Sequence, residues 1–347
     1  MTSPRRAAAL ATAAALSVAL GGGSVVGSGG EPDAGGTVTL VTHDSFALSD
    51  GLLEQFTAET GWEVELVAPG DGGALVNQLI LTKDSPLGDA VYGIDTTFAS
   101  RAVDEGVLEP YASPAAVDGL DTLGGHLTAI DQGDVCLNVD LEWFAGRDLD
   151  VPAGFEDLLA PEYAGLTVVT NPATSSPGLT FLLATVAHFG EDGWQDYWRG
   201  LLANGAKVAE GWSDAYYVDF SGSEGAGPRP VVLSYSSSPA AEVGDDGVAR
   251  TANVEATCFR VVEYAGVIAG AGNPEGARAL IDFLLSDAVQ ADIPTSMYMY
   301  PVTDVDLPAE WAAHAPLAAD PLSLDPSAIT ANRATWLEEW AGLRAAQ

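Results

Sequence analysis

From Thr37 onward the chain repeats one unit: a short apolar strand, a break rich in Gly, Asp or Ser, then a run with helical spacing. Thr37–Thr42 is apolar enough for a buried parallel strand and stops at His43-Asp44-Ser45-Phe46. A helix is predicted over 51–60, with Ser49 and Asp50 as cap candidates and Gly61 as its stop. Trp62, Val64 and Leu66 alternate with glutamates as a second strand. The turn 68–73 and a helix over 74–82 follow. A third strand over 89–94 ends at Asp95-Thr96-Thr97 and leads into a helix that runs to Gly106. Such alternation marks an α/β domain built on a parallel sheet, and in such sheets ligands sit at the carboxyl ends of the strands. His43-Asp44, Asp71-Gly72 and Asp95-Thr96 all fall at that edge.

Around Asp131 the pattern restarts. Strands are predicted over 135–139 and 165–170, with a short helix at 152–159 between them. The second strand breaks at 171–178, Asn-Pro-Ala-Thr-Ser-Ser-Pro-Gly, just before a helix over 179–189. Small and hydroxyl residues there form an anion-friendly nest of free N–H groups, with Ser175 and Ser176 as donors. The next helix, 191–202, carries Trp194, Tyr197, Trp198 and Leu201 on one face, a core stripe. The segment 221–227 reads as a flexible surface loop. A strand over 261–270 leads into a helix over 275–285. The stretch 293–301 reads as an apolar, aromatic loop between helices, and a last helix covers 331–344.

A chain of 347 residues exceeds one ordinary core, so two domains are expected. Its formal charge of -36, with Lys83 and Lys207 as the only lysines, repels nucleic acid and anionic lipid and attracts small cations. The same acidity serves solubility. Arg5-Arg6, an apolar run over 7–20 and Gly/Ser-rich sequence to Gly36 follow the secretory pattern, so residues 1–35 are expected to be an export signal and linker. In an exported chain the two cysteines, Cys136 and Cys258, are expected to form a disulfide.

Two stretches suit a flat aromatic ligand: 210–216, Glu-Gly-Trp-Ser-Asp-Ala-Tyr, and 231–239, a buried strand ending in Tyr235-Ser236-Ser237-Ser238-Pro239. Trp212 and Tyr235 offer stacking faces, and the hydroxyls and strand-end N–H groups offer polar contacts. Core packing and a turn account for the same residues more plainly. Catalytic patterns are poor. The four histidines lack ligand spacing, so no metal site is expected. Around Ser213 the hydrolase nucleophile elbow lacks its last glycine. Tyr216-Tyr217 is a weak match to paired phenolate ligands for ferric iron.

Taken together, residues 42–46, Asp71-Gly72, 93–95, 171–178, 211–216, 233–239 and 293–301 give the chain a likeness, over nearly its whole mature length, that each motif alone does not carry. It resembles the periplasmic thiamine-binding proteins, the solute receptors of thiamine ABC transporters. The resemblance implies a two-lobed type II periplasmic-binding-protein fold with hinge strands and an interlobe ligand cleft. It implies a ligand, thiamine or its mono- or diphosphate, and no cofactor. It places Asp71 and Gly72 in the first lobe's share of the site, Ser175 and Ser176 near the hydroxyethyl or phosphate end, and Trp212, Tyr235, Ser236, Ser237 and Ser238 in the second lobe's share. Where the family commonly has a tyrosine this chain has His43, and a ligand-stacking tryptophan is replaced by Tyr298.

Thiamine chemistry fits these residues: aromatic faces attract its fixed thiazolium charge, and a carboxylate such as Asp71 accepts hydrogen bonds from its aminopyrimidine. The expected lobes are 36–130 plus 266–308, and 131–265 plus 309–347, with the sheet interrupted between them and the last helix packed on the second. The expected protein is a monomeric extracytoplasmic receptor, not an enzyme, that delivers its ligand to a membrane permease and does not bind nucleic acid. A receptor for ferric iron or a polyamine, or a secreted α/β hydrolase using Ser213, are the alternatives.

Overall fold

A computed structural model describes residues 35–224 and 226–346. The expected export signal lies outside them, Gly35 apart. The strands are β1 (Thr37–Thr42), β2 (Glu63–Val67), β3 (Ala90–Asp95), β4 (Thr128–Asp140), β5 (Thr167–Thr170), β6 (Lys207–Ala209), β7 (Val231–Tyr235), β8 (Thr251–Val267) and β9 (Tyr300–Pro301). The longer helices are α1 (Leu52–Thr60), α2 (Gly72–Leu81), α3 (Thr96–Asp104), with the five-residue α4 (Leu141–Ala145) next, then α5 (Ser176–Phe189) and α6 (Trp194–Ala203). After them come the single turn α7 (Trp212–Asp214), the short α8 (Ser238–Ala241), then α9 (Pro274–Leu284), α10 (Asp287–Met297), α11 (Ala309–His314) and α12 (Pro326–Ala345).

The strands join in the order β2-β1-β3-β8-β4-β7-β5-β6, with β9 added to β4. At one end β2, β1 and β3 are parallel; at the other, β7, β5 and β6 are parallel. Between them β8 and β4 run antiparallel to each other and to their outer neighbours. The ladder is therefore continuous, and the expected interruption of the sheet is absent: β8 pairs into the first wing, β4 into the second, and the two pair with each other.

Those two strands also run further than their apolar cores predicted. The pattern restarts around Asp131, ahead of the strand expected over 135–139, yet Asp131 and Asp134 are both buried within β4. Their carboxylates are accommodated by partners from elsewhere in the fold. Tyr92 on β3 bonds Asp131, and Arg260 on β8 pairs with Asp134, which also accepts from Ala318 N–H at 2.6 Å. A buried carboxylate with such partners does not end a strand.

Elsewhere the differences follow local chemistry. Gly51, at φ 93°, and not Ser49 or Asp50, precedes α1. The expected helix at 152–159 is one 3-10 turn, Glu156–Leu159. The expected loop over 293–301 begins inside α10, which continues through Pro294 to Met297. Gln290 anchors that helix: its amide donates to the Ile130 and Leu284 carbonyls and accepts from Val302 N–H. Apart from Gly225, which is not described, the expected flexible loop at 221–227 is tied down, with Ser221 N–H bonded to the Arg229 carbonyl and Gly227 N–H to that of Phe220. Helix α12, capped by Asp325, reaches both wings and not the second alone. Trp340 meets Trp198 of α6 edge-on at 5.6 Å, and the Arg333 guanidinium donates to the Thr97 carbonyl of α3 at 3.0 Å.

Cys136 on β4 and Cys258 on β8 form the expected disulfide, with Cα atoms 4.2 Å apart and a sequence separation of 122. Closing so long a loop in the unfolded chain is worth about 4–5 kcal/mol as an upper value. Alkylation of the denatured, unreduced protein should label neither cysteine. The double substitution Cys136→Ser, Cys258→Ser should lower the denaturant midpoint; an unchanged midpoint would mean the bridge adds no stability.

Candidate functional site

The site forms where the ends of β1, β7 and α10 meet β8 and the turn after β6. Beyond β1 the chain bends through His43–Ala47. The imidazole of His43 fits because Gly93 has no side chain: a Cβ there would lie 2.2 Å from His43 Cδ2, and Gly93 itself holds φ 97°. Ser45 Oγ is 3.0 Å from His43 Nδ1. On the other side, Nε2 is 3.7 Å from Glu263 Oε2, an electrostatic contact too long for a hydrogen bond. Burial alone lowers the imidazolium's pKa, but Glu263, with Asp71 and Asp44 behind it, outweighs that and moves it up.

Asp71 caps α2, accepting from Gly72 N–H at 2.6 Å. The same carboxylate reaches across the cleft. Its Oδ1 accepts from Ser176 N–H at 3.0 Å, at the start of α5, and its Oδ2 from Trp212 N–H at 2.9 Å. Burial pushes this carboxyl up against the pull of those N–H donors. Gly72 and Gly73 permit the approach, since a Cβ on Gly72 would lie 2.1 Å from Ser176 Oγ and one on Gly73 2.7 Å from the Thr174 backbone. The nest expected before α5 thus does hold an anion, and the anion is Asp71. Ser175 does not face the cavity: its buried Oγ accepts from Gly178 N–H as the α5 cap and contacts Thr170 Oγ1.

Trp212 lies on the single turn α7, its ring stacked on Tyr216 at 5.0 Å and 17°. Tyr235 and Tyr298 stand 6.4 and 6.2 Å from it. The indole N–H donates to Ser234 Oγ, which bonds Ser238 Oγ in turn. Ser237 Oγ donates to the carbonyl of Tyr298, a residue in left-handed backbone conformation. Ser236, Ser237 and Ser238 are buried behind the aromatic wall and do not line the cavity, contrary to expectation. The strand turns into α8 there, which points the hydroxyls inward, and two of the three hold Trp212 and Tyr298 in place.

The cavity has a volume of about 320 Å³ and is lined by 43–47, Trp212, Ser213, Tyr217, Tyr235, Glu263 and 296–299. A pocket of about 20 Å³, room for roughly one water, continues from it past His43, Trp212 and Tyr235 to Asp71, Gly72 and Ser176. Beyond the Asp71 crossing lies an acidic outer chamber of about 240 Å³, with Asp44, Glu210 and Asp214 in its walls. Of the predicted residues, His43, Trp212, Tyr235 and Tyr298 meet at the main cavity, and Asp71, Gly72 and Ser176 at its extension. Glu263, Ser296, Met297 and Met299 were not singled out as ligand contacts, and Ser213 and Tyr217 were weighed only for a hydrolase and for ferric iron. Glu263 had a signal: it is the one charge in the apolar run Val261 to Val267.

Residues 85–319 match the family model for bacterial extracellular solute-binding proteins. The thiamine-binding periplasmic protein of Escherichia coli (strain K12) is 30% identical over 314 residues, spanning 87% of this chain and 92% of that one. The protein of the same name from Brucella suis is 29% identical over 334 residues, 91% of this chain and 95% of the other. A solved structure of a periplasmic thiamin binding protein superposes with a TM-score of 0.78 at 29% identity, over 88% of this chain and 96% of its own. With its two parallel wings on a pair of long central strands and its ligand-sized cleft between them, this chain belongs to the bacterial extracellular solute-binding proteins and has the type II periplasmic-binding-protein fold.

Proposed function

We propose that this protein captures thiamine in the aromatic cavity and delivers it, as a monomeric extracytoplasmic receptor, to the membrane permease of an ABC transporter. One observation carries the reading: the aromatic rings of Phe46, Trp212, Tyr217, Tyr235 and Tyr298 and the carboxylates of Asp44 and Glu263 border one cavity that has no Lys or Arg in its wall. Aromatic faces and a carboxylate attract a flat cation. The volume lies at the lower end of the small-ligand range. The thiamine-binding names of the relatives support the same ligand. The family is a solute-binding one, which is not a class of enzymes. Among the described residues no helix is long and apolar enough to cross a membrane.

The two wings then act as lobes, 36–130 plus 266–308 and 131–265 plus 309–347, that close by bending of β4 and β8. Asp71 is the latch of the closed form in this reading, and its carboxylate is not the acceptor for the aminopyrimidine. Ferric iron fits the geometry less well. Tyr216 donates to Glu242 at 3.0 Å and is stacked behind Trp212, so the paired tyrosines do not converge on one point in the cavity. The hydrolase reading lacks its base, because the cavity's imidazole is paired with Ser45 and not with Ser213.

Calorimetric titration tests this. Trp212→Ala and the half-exposed Tyr217→Ala should each weaken thiamine binding at least about tenfold, or ~1.4 kcal/mol. Normal thiamine affinity in both would place the ligand elsewhere. Asp71→Ala should weaken thiamine and its phosphates by the same factor, since it removes the latch and not a ligand contact. A loss confined to ligands that carry the aminopyrimidine, with a bare thiazolium fragment unaffected, would return Asp71 to the ligand.

Ser175→Ala should cost about 0.5–2 kcal/mol of stability as a lost helix cap, with the ratio of phosphate to thiamine affinity unchanged. Each added phosphate should weaken binding, because Asp44 and Glu263 repel it and no Lys or Arg lines the cavity. Tighter binding of the monophosphate than of thiamine would overturn that order.

A further inference from the structure

Glu263 on β8 stands directly opposite Asp131 on β4 in the antiparallel ladder. Glu263 is 4% exposed and borders the cavity; Asp131 is fully buried behind it, and its Oδ1 has no hydrogen-bond partner. Like charges in facing ladder positions repel, and two bare carboxylates at this depth do not both ionise readily. Tyr92 on β3 stands between them: its hydroxyl contacts Asp131 Oδ2 and lies 3.2 Å from Glu263 Oε2.

A phenol has one proton to donate. It satisfies one carboxylate, and the second contact is attractive when the other carboxyl carries a proton of its own. The pair therefore shares one proton. Burial, and then Glu263, push the Asp131 carboxyl well up, in keeping with that count. The other titratable groups around Glu263 are His43 at 3.7 Å, with Asp71 and Asp44 behind the imidazole, Asp95 at the head of α3, and Tyr235 on β7. His43 Nε2 is itself buried at the cavity wall without a hydrogen-bond partner.

We propose that the cavity takes up its cationic ligand in exchange for the proton shared by Asp131 and Glu263. Glu263 becomes the counter-ion of the ligand's fixed charge, Tyr92 donates to Asp131, and one proton leaves to solvent, so the charge within the site is unchanged. This rests on the thiamine reading for the identity of the cation, but not for the exchange. A neutral ligand of the same shape cannot drive it, which makes the pair a selector for cations.

Titration of the protein with thiamine, repeated in buffers of different ionisation enthalpy from about pH 5 to about pH 8, counts the protons. About one proton should be released per thiamine at the acid end, and affinity should rise by up to about tenfold per pH unit until the pair is ionised in the free protein. Glu263→Gln should abolish the release and weaken binding at least about tenfold at the alkaline end.

Asp131→Asn should abolish the release while keeping the parent's alkaline affinity, because no second carboxyl then faces Glu263 and Tyr92 is left to it as donor; it also serves if Glu263→Gln does not fold. His43→Gln should leave the release in place. Thiamine binding without proton exchange at any of these pH values, or loss of the release in His43→Gln but not in Asp131→Asn, overturns the proposal. Choline and spermidine run in parallel. Proton release with either, in the absence of thiamine binding, keeps the exchange and removes thiamine as the ligand; no binding of any of the three removes both.

Discussion

The pairing of β4 with β8 is the constraint on which the rest of the molecule depends. The two strands, of 13 and 17 residues, run antiparallel from Thr128 opposite Ala265 to Asp140 opposite Thr251. Every other strand attaches to one of them or to a wing that does. A parallel wing needs cover on both faces, which the helices between its strands supply. The central pair needs no crossover, so the wings are joined by two strands and little else in the sheet. The register shifts twice along the pair, between Ala129 and Asp131 and between Val135 and Leu137. Such bulges bend a strand and raise its twist. Cys136 and Cys258 lie at the second shift and fix it covalently. The first shift brings Asp131 opposite Glu263, so the geometry that lets the pair bend also places the acids below the cavity.

Across the cleft the two wings meet through an anion the protein supplies itself. Hydrogen bonds from N–H groups to a charged acceptor are worth about 1.5–3 kcal/mol each, and Asp71 accepts three. Burying the carboxylate offsets a large part of that gain, and the upward push on its pKa expresses the cost. Asp71's carboxylate thus joins the wings at a net gain smaller than its three bonds alone would give, and two of them, from Ser176 and Trp212, cross the cleft. It also explains why a helix N-terminus suited to phosphate faces a cavity with no other anion-binding feature: the nest is filled whenever the cleft is shut.

Much of this was legible in the chain because periodicity reports burial. β1 matched its predicted span, β3 and β7 came close, and the stripe of Trp194, Tyr197, Trp198 and Leu201 is buried as a core face. The stretches around Trp212 and Tyr235 do meet at the site. The sequence hid what depends on partners distant along the chain. β4 looked short because the pattern restarts around Asp131 and a strand was expected only from Val135, while Tyr92 and Arg260, far away in sequence, hold Asp131 and Asp134 inside the strand. Ser236, Ser237 and Ser238 looked like ligand contacts because hydroxyls beside a strand end are polar in the right place; which way they point is decided by the turn into α8. The stretch from Ile293 looked like a loop, and Gln290 with its neighbours carries α10 through Pro294. Glu263 was visible only as a charge out of place among apolar residues.

The protonation of the tyrosines decides what kind of cation such a cavity accepts. A phenolate would be a strong ligand for a hard metal ion, but forming one here means creating a negative charge next to others. Burial pushes the phenols of Tyr216, Tyr217 and Tyr235 up, and neighbouring carboxylates push them further: Glu242 for the first two, Glu263 for Tyr235. These rings therefore stay neutral and offer their faces, where attraction to a cation comes from the ring quadrupole and not from a formal charge. That attraction is soft and broad, suited to a delocalised organic cation and poorly suited to a small, strongly hydrated ion that demands oxygen ligands in its inner shell. The acids around the rings then supply the formal charge, from the Glu263 and Asp44 carboxylates that border the cavity. A wall that attracts the ring and a floor that neutralises its charge make separate demands on a ligand, and a heteroaromatic cation meets both.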